Sequence, residues 1–69
     1  MNWTSVNSSN LAAVAYNAST QVLYIRFHSS GTYAYSGVPQ SVYNGLMNAA
    51  SHGEYHAAFI KNNYPYSRV

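Results

Sequence analysis

The spacing of apolar and polar side chains divides the chain into a β half and an α half. The clearest signal runs from Gln21 to Phe27. There Leu23, Ile25 and Phe27 fall on one face, and Val22, Tyr24 and Arg26 on the other. A period of two, carried by β-branched and aromatic residues, predicts a strand. The apolar run Leu11 to Tyr16 predicts another, and the turn cluster Asn17-Ala18-Ser19-Thr20 separates the two. His28-Ser29-Ser30-Gly31 reads as a short hairpin loop, with Gly31 placed for a positive φ. Thr32 to Ser36 follows as a third strand, with Tyr33 and Tyr35 on one face. Trp3 to Val6 is a candidate edge strand. Loops this short favour an antiparallel meander.

At Gly37-Val38-Pro39 the period changes to that of a helix. Pro39 suits the first helical position. Val42, Leu46 and Ala49 then form one stripe, with Tyr43, Met47 and Ala50 beside it. Gly45 inside this helix costs about 1 kcal/mol relative to Ala, a cost that close packing on the sheet is expected to offset. Ser51-His52-Gly53-Glu54 fits a capping box, with Ser at N-cap and Glu at N3. It predicts a second helix from His52 to Lys61, with Tyr55, Phe59 and Ile60 inward and Asn62-Asn63 as the stop. Tyr64 to Val69 is expected to be extended, because Pro65 disfavours helix at Tyr64. The predicted fold is α+β. A three- to four-stranded antiparallel meander is followed by a two-helix hairpin on one face and an extended Tyr-Pro-Tyr segment.

Length limits this fold to one domain over 69 residues. Surface scaling gives about 4,300 Å² exposed when folded, so about 61% of the unfolded surface is buried. Stability from such a core is thin, and a homo-oligomer is the expected remedy. The start of the chain has no basic, apolar leader pattern, and its longest apolar run is six residues. Neither a signal peptide nor a membrane span is predicted. The expected location is the cytoplasm, which is the host's cytoplasm for a phage protein.

Composition narrows the chemistry. Charged residues make up 6% of the chain, against about 25% in an ordinary domain. Cysteine is absent, and Glu54 is the one acidic side chain. Disulfides, thiolate metal sites and paired-carboxylate catalysis are thereby excluded within one protomer. His52 and His56 have the i, i+4 spacing of a zinc pair. In the metalloprotease motif, however, the Glu directly follows the first His. Glu54 comes one position later, turned by about 100° around the helix. No Ser lies in a Gly-x-Ser-x-Gly elbow, and the four glycines form no phosphate loop. No enzyme activity and no cofactor are expected.

The eight tyrosines are the main excess. A tyrosine joins a large apolar ring to a polar tip, which suits cores, interfaces and base stacking alike. Tyr64 and Tyr66 flank a proline beside Arg68, where regular packing does not account for them. Rings beside a cation are the makings of a nucleotide site. Arg26 interrupts an apolar strand and is a second cation of interest. Ser51 and Gly53 at a helix start offer a place for a phosphate or carboxylate.

Ser8-Ser9, Tyr16, Leu23-x-Ile25-x-Phe27, Gly31-x-Tyr33-x-Tyr35 and Val38-Pro39 form an ordered set. It continues through Tyr43, Leu46, Ala50-Ser51-x-Gly53, Ile60 and Tyr64-Pro65-Tyr66. In this order the chain resembles the KTSC domain, a small module at the C-terminus of some lysyl-tRNA synthetases and in stand-alone bacterial and phage proteins. The resemblance implies a non-enzymatic module with a suspected role in binding RNA.

Charge limits the ligand. Duplex binding uses about 6–10 phosphate contacts, and the chain has three basic residues, Arg26, Lys61 and Arg68. A small nucleotide or a short unpaired RNA remains as the expected partner. In a phage, such a domain suits sequestration of a host nucleotide signal. The candidate ligand-binding residues are Arg26, Tyr35, Ser51, Gly53, Tyr64, Tyr66 and Arg68. The alternative is a protein-interaction or self-assembly module with a tyrosine-rich surface.

Overall fold

The computed structural model describes residues 2–69. Five strands form one antiparallel sheet in the order β1-β2-β3-β4-β5. They are β1 (Thr4–Ser5), β2 (Leu11–Asn17), β3 (Val22–Phe27), β4 (Gly31–Tyr35) and β5 (Tyr66–Arg68). Between β4 and β5 the chain makes α1 (Gln40–Asn48) and α2 (His52–Tyr55), and α2 runs on into a π-helical turn over His56–Ile60. The predicted α+β meander with its helix pair is therefore the observed architecture. The C-terminal segment goes further than expected, for it is the fifth strand and not only extended chain. Pro65 holds it straight, its carbonyl accepts from Ser36 N–H at 2.9 Å, and Val69 N–H donates to Thr32 at 2.9 Å.

The alternation in β3 has the predicted consequence. Leu23, Ile25 and Phe27 turn to the helices and are buried, whereas Arg26 is exposed on the other face. Val14 pairs with Ile25, and Tyr33 and Tyr35 pair with Ile25 and Leu23, so all three share the helix-facing side. Leu46 of α1, Ile60 of the π turn and Val38 of the connection close this core, each fully buried. The remote face is shielded differently. Trp3 packs edge-on to Tyr24, and the Arg26 guanidinium lies 4.3 Å from its ring centroid. The cross-strand partners of Ala13 and Ala15 are Arg26 and Tyr24, and both alanines are buried.

Local chemistry explains most element boundaries. Gly31 has φ +94° and closes the β3–β4 hairpin as predicted. Pro39 is the N-cap of α1 and not its first helical residue, because its ψ of 157° is extended. Ser51 caps α2 by accepting Glu54 N–H at 3.2 Å. Gly45 is needed for a different neighbour from the one expected. A Cβ there would overlap the Tyr55 hydroxyl, so the close approach is between helices and not onto the sheet.

The second helix buries Ile60 and half-buries Tyr55 against the core as expected, and differs at His56 and Phe59. His56 and Ile60 face the sheet, while Phe59, expected inside, is 54% exposed and lies against Tyr55. The widened turn, closed by Lys61 N–H to the His56 carbonyl at 2.9 Å, carries both buried residues. A polar imidazole is tolerated in this position because Tyr35 supplies a hydrogen-bond partner.

Candidate functional site

The helices do not cover the whole sheet. Towards β5 they leave a cleft of about 300 Å³ on the helix-facing side. Its walls are Phe27, Tyr33, Tyr35, Tyr66 and His56, with Asn10, Ser30, Gly53, Ala57 and Lys61 around them. The register brings the rings together. Tyr35 pairs with Tyr66 and Tyr33 with Arg68, so alternate residues of β4 and β5 share one face. The Tyr66 ring stands 5.4 Å from Tyr35 and 5.7 Å from Tyr33. Those spacings suit tilted and edge-on aromatic contacts. Tyr66 is 57% exposed, which leaves much of its ring open to a ligand.

At the back of the cleft the Tyr35 hydroxyl meets His56 Nε2 at 2.8 Å, and both residues are buried. Burial, with Tyr66 and Tyr33 as further contributors, pushes the Tyr35 phenol up to about 12. Burial, and secondarily the Lys61 charge, lowers the His56 imidazole below its ordinary value. At neutral pH both groups are therefore uncharged. Lys61 is the cation of the lining. Arg68 extends across Gly31, where a Cβ would come within 3.1 Å of the guanidinium nitrogens. Glu54 lies away from this cleft, on an apolar patch with Ala58 and Phe59. The charged side chains at and beside the cleft are thus both cations, and the walls are aromatic.

The sequence-predicted residues separate into three groups. Tyr35, Gly53 and Tyr66 line the cleft, and Arg68 flanks it. Ser51 does not line it, for its hydroxyl caps α2. Tyr64 is half-buried against the core. Arg26 stands apart from the others, since it lies on the opposite face of the sheet with Trp3. Its alternation with Leu23, Ile25 and Phe27 already carried that signal. Phe27, Tyr33, His56 and Lys61 were not among the predicted site residues. Tyr33 was legible as the neighbour of Tyr35 on one strand face. His56 was legible only as half of a possible metal pair. That pair is divided, because His52 Nδ1 bonds the Leu46 carbonyl at 2.8 Å while His56 bonds Tyr35.

The shape and sequence have clear relatives. The KTSC domain family model matches residues 7–64. The chain is 38% identical over 59 residues to a lysine–tRNA ligase of a Nostoc species, covering 86% of this chain and 10% of the ligase. It thus spans about a tenth of the length of that relative. An uncharacterised protein of Stutzerimonas stutzeri is 32% identical over 65 residues, with 93% of this chain and 92% of the relative covered. The crystal structure of a KTSC domain protein from Yersinia pestis superposes with a TM-score of 0.97 at 29% identity, over 99% of this chain and 96% of that one. With its fold and most of its length accounted for, the chain belongs to the KTSC domain family.

Proposed function

We propose that the chain is a non-catalytic binding module whose β4–β5 cleft holds a nucleotide-type ligand, either a small nucleotide or a short unpaired stretch of RNA. The observation that supports this most is the pairing of open aromatic walls with cations. Tyr66 and the half-buried Tyr33 offer stacking and edge contacts, Tyr35 and His56 back them from inside, and Lys61 and Arg68 stand beside them. Its volume is at the small end for ligand pockets, about 300 Å³ upward. That suits one nucleotide unit and not a duplex. Three cations in the chain fall short of the roughly 6–10 phosphate contacts of duplex binding. The matched region of proteins named as lysine–tRNA ligases favours the RNA arm of this reading. Such a module works in the cytoplasm, where nucleotides and RNA are found.

Calorimetry with a panel of mononucleotides, cyclic nucleotides and short RNAs tests the proposal. Heat is expected from at least one member, and its affinity should fall about 5- to 150-fold in Tyr66→Ala. No heat at millimolar ligand overturns it.

A second reading has its own observation. Phe59 stands 54% exposed on a patch with Ala49, Ala50 and Ala58. Exposed apolar area of this kind suits self-association of a small domain. Light scattering of wild type and Phe59→Ser decides it: a dimer lost in the variant supports it, and a monomeric wild type removes it.

A further inference from the structure

The buried contact between Tyr35 and His56 fixes more than a position. Their polar atoms are 2.8 Å apart, and the residues are 3% and 6% exposed. Two proton arrangements satisfy that distance. In one, the Tyr35 O–H donates to an unprotonated Nε2, which places the imidazole hydrogen on Nδ1. In the other, Nε2–H donates to the phenol oxygen. The phenol hydrogen then lacks a protein acceptor, for the Tyr35 hydroxyl makes no other hydrogen bond among the described residues and the residue is 3% exposed. A buried donor left unmade disfavours that arrangement by about tenfold or more. Burial and Lys61 keep the ring neutral, in keeping with a single ring proton.

The hydrogen on Nδ1 needs a partner of its own. His56 makes no second hydrogen bond among the described residues. Yet no buried side-chain nitrogen or oxygen among them is without a partner. Nδ1 therefore keeps some solvent contact, and His56 lines the cleft. The Phe27 ring, 5.1 Å away at 65°, holds the imidazole from a further side.

We infer that His56 is the specificity-determining residue of the cleft, donating Nδ1–H to a hydrogen-bond acceptor on the bound heterocycle, with Tyr35 as the positioning residue that fixes the tautomer. This deepens, and rests on, the reading of the cleft as a nucleotide site. The ligand class narrows accordingly. A donor fixed in place accepts a ring carbonyl oxygen or an unprotonated ring nitrogen at that spot and rejects an amino group, whose hydrogens would meet it head-on.

Long-range proton–nitrogen correlation NMR of the free protein reads the tautomer directly. The wild type is expected to carry the His56 proton on Nδ1. Tyr35→Phe, which keeps the ring and removes the hydroxyl, is expected to show a mixture. Uridine and inosine monophosphates, rich in carbonyl acceptors, are then titrated into both proteins. Binding should move the His56 Nδ1 resonance and weaken about 2- to 5-fold in Tyr35→Phe, in proportion to the fall in the Nδ1-protonated fraction. An Nε2-protonated ring in the free wild type overturns the inference. So does a nucleotide that shifts Tyr33 and Tyr66 but leaves Nδ1 unmoved and binds Tyr35→Phe equally well. That result leaves the nucleotide reading standing. Silence of every cleft resonance with every nucleotide overturns both.

Discussion

One face of one sheet carries two different surfaces. Over β2 and β3 it is aliphatic and sealed: Val14, Leu23 and Ile25 meet Leu46, Ile60 and Val38, all essentially inaccessible. Towards β5 it is aromatic and only partly covered: Tyr33, Tyr35 and Tyr66 line a cleft whose far wall is His56, Ala57 and Lys61 at the end of the second helix. The same period-two alternation produces both, so the strand pattern alone does not decide between core and site. Two things decide it. One is the reach of the short helix pair, which stops short of β5. The other is residue chemistry, since a tyrosine buries its ring and still presents a polar tip. The first half should govern stability and the second should govern binding.

The strongest way to break that division is in the sealed half. Leu46→Ala should cost about 2–5 kcal/mol, as large-to-small changes at fully buried sites do. A domain of this size has a reserve of about 3–10 kcal/mol at the usual per-residue stability. A large drop in the urea midpoint is therefore expected, and ligand binding should be lost only along with the fold.

Tyr66→Ala is the mirror image. Its ring is more than half exposed, so the urea midpoint should move little. Affinity should fall by about 1–3 kcal/mol, the worth of one stacked base. A Tyr66→Ala protein that unfolds easily would place Tyr66 in the core half and erase the distinction.

Gly45→Ala tests the joint between the two helices. Overpacking costs about 1–3 kcal/mol, and improved helix propensity returns up to about 1. A net loss is expected, because the added Cβ meets the Tyr55 hydroxyl. A gain in melting temperature would mean that Tyr55 swings aside freely.

Arg26→Ala should be the mildest substitution. It removes a cation–π contact worth about 0.5–1 kcal/mol at an exposed site. Nucleotide affinity should be unchanged, since Arg26 faces away from the cleft. A loss of affinity would move the ligand to the Trp3 face.

The gentlest perturbation is pH. His56 has a folded pKa below its ordinary 6.5, so the unfolded chain takes up the proton first. Its contribution to stability should be full above about 6.5 and decline as pH falls towards the lowered folded value. Tyr35 acts at the other end. Its phenol, raised from 10.0 to about 12, contributes fully below pH 10.0 and is lost as pH climbs towards 12. Denaturation midpoints across pH check both limbs, and a flat acid limb would contradict the burial of His56.

How much of this was legible in the sequence follows the range of the interactions. β3, β4 and α1 announce themselves, because alternation and the helical stripe are local. Gly31 does too, since its φ is set by its own turn. β5 does not: three exposed residues carry no pattern, and they become a strand only by pairing with β4. His56 is similar. Polarity argued for solvent, and its burial depends on a tyrosine 21 positions earlier in the chain. Of the residues at and beside the cleft, Tyr66 and Arg68 stand out in the sequence because their segment lacks another explanation. Phe27 was hidden by being a good core residue, which it also is.

The claim that the open aromatic half is the binding site is tested most directly by NMR mapping of a bound nucleotide. Uridine monophosphate and a short single-stranded RNA are titrated into the labelled protein. The largest shifts are expected at Tyr33, Tyr35, His56, Lys61 and Tyr66, with Trp3, Tyr24 and Arg26 unmoved. Shifts centred on Trp3 and Arg26, or none at millimolar ligand, would contradict it.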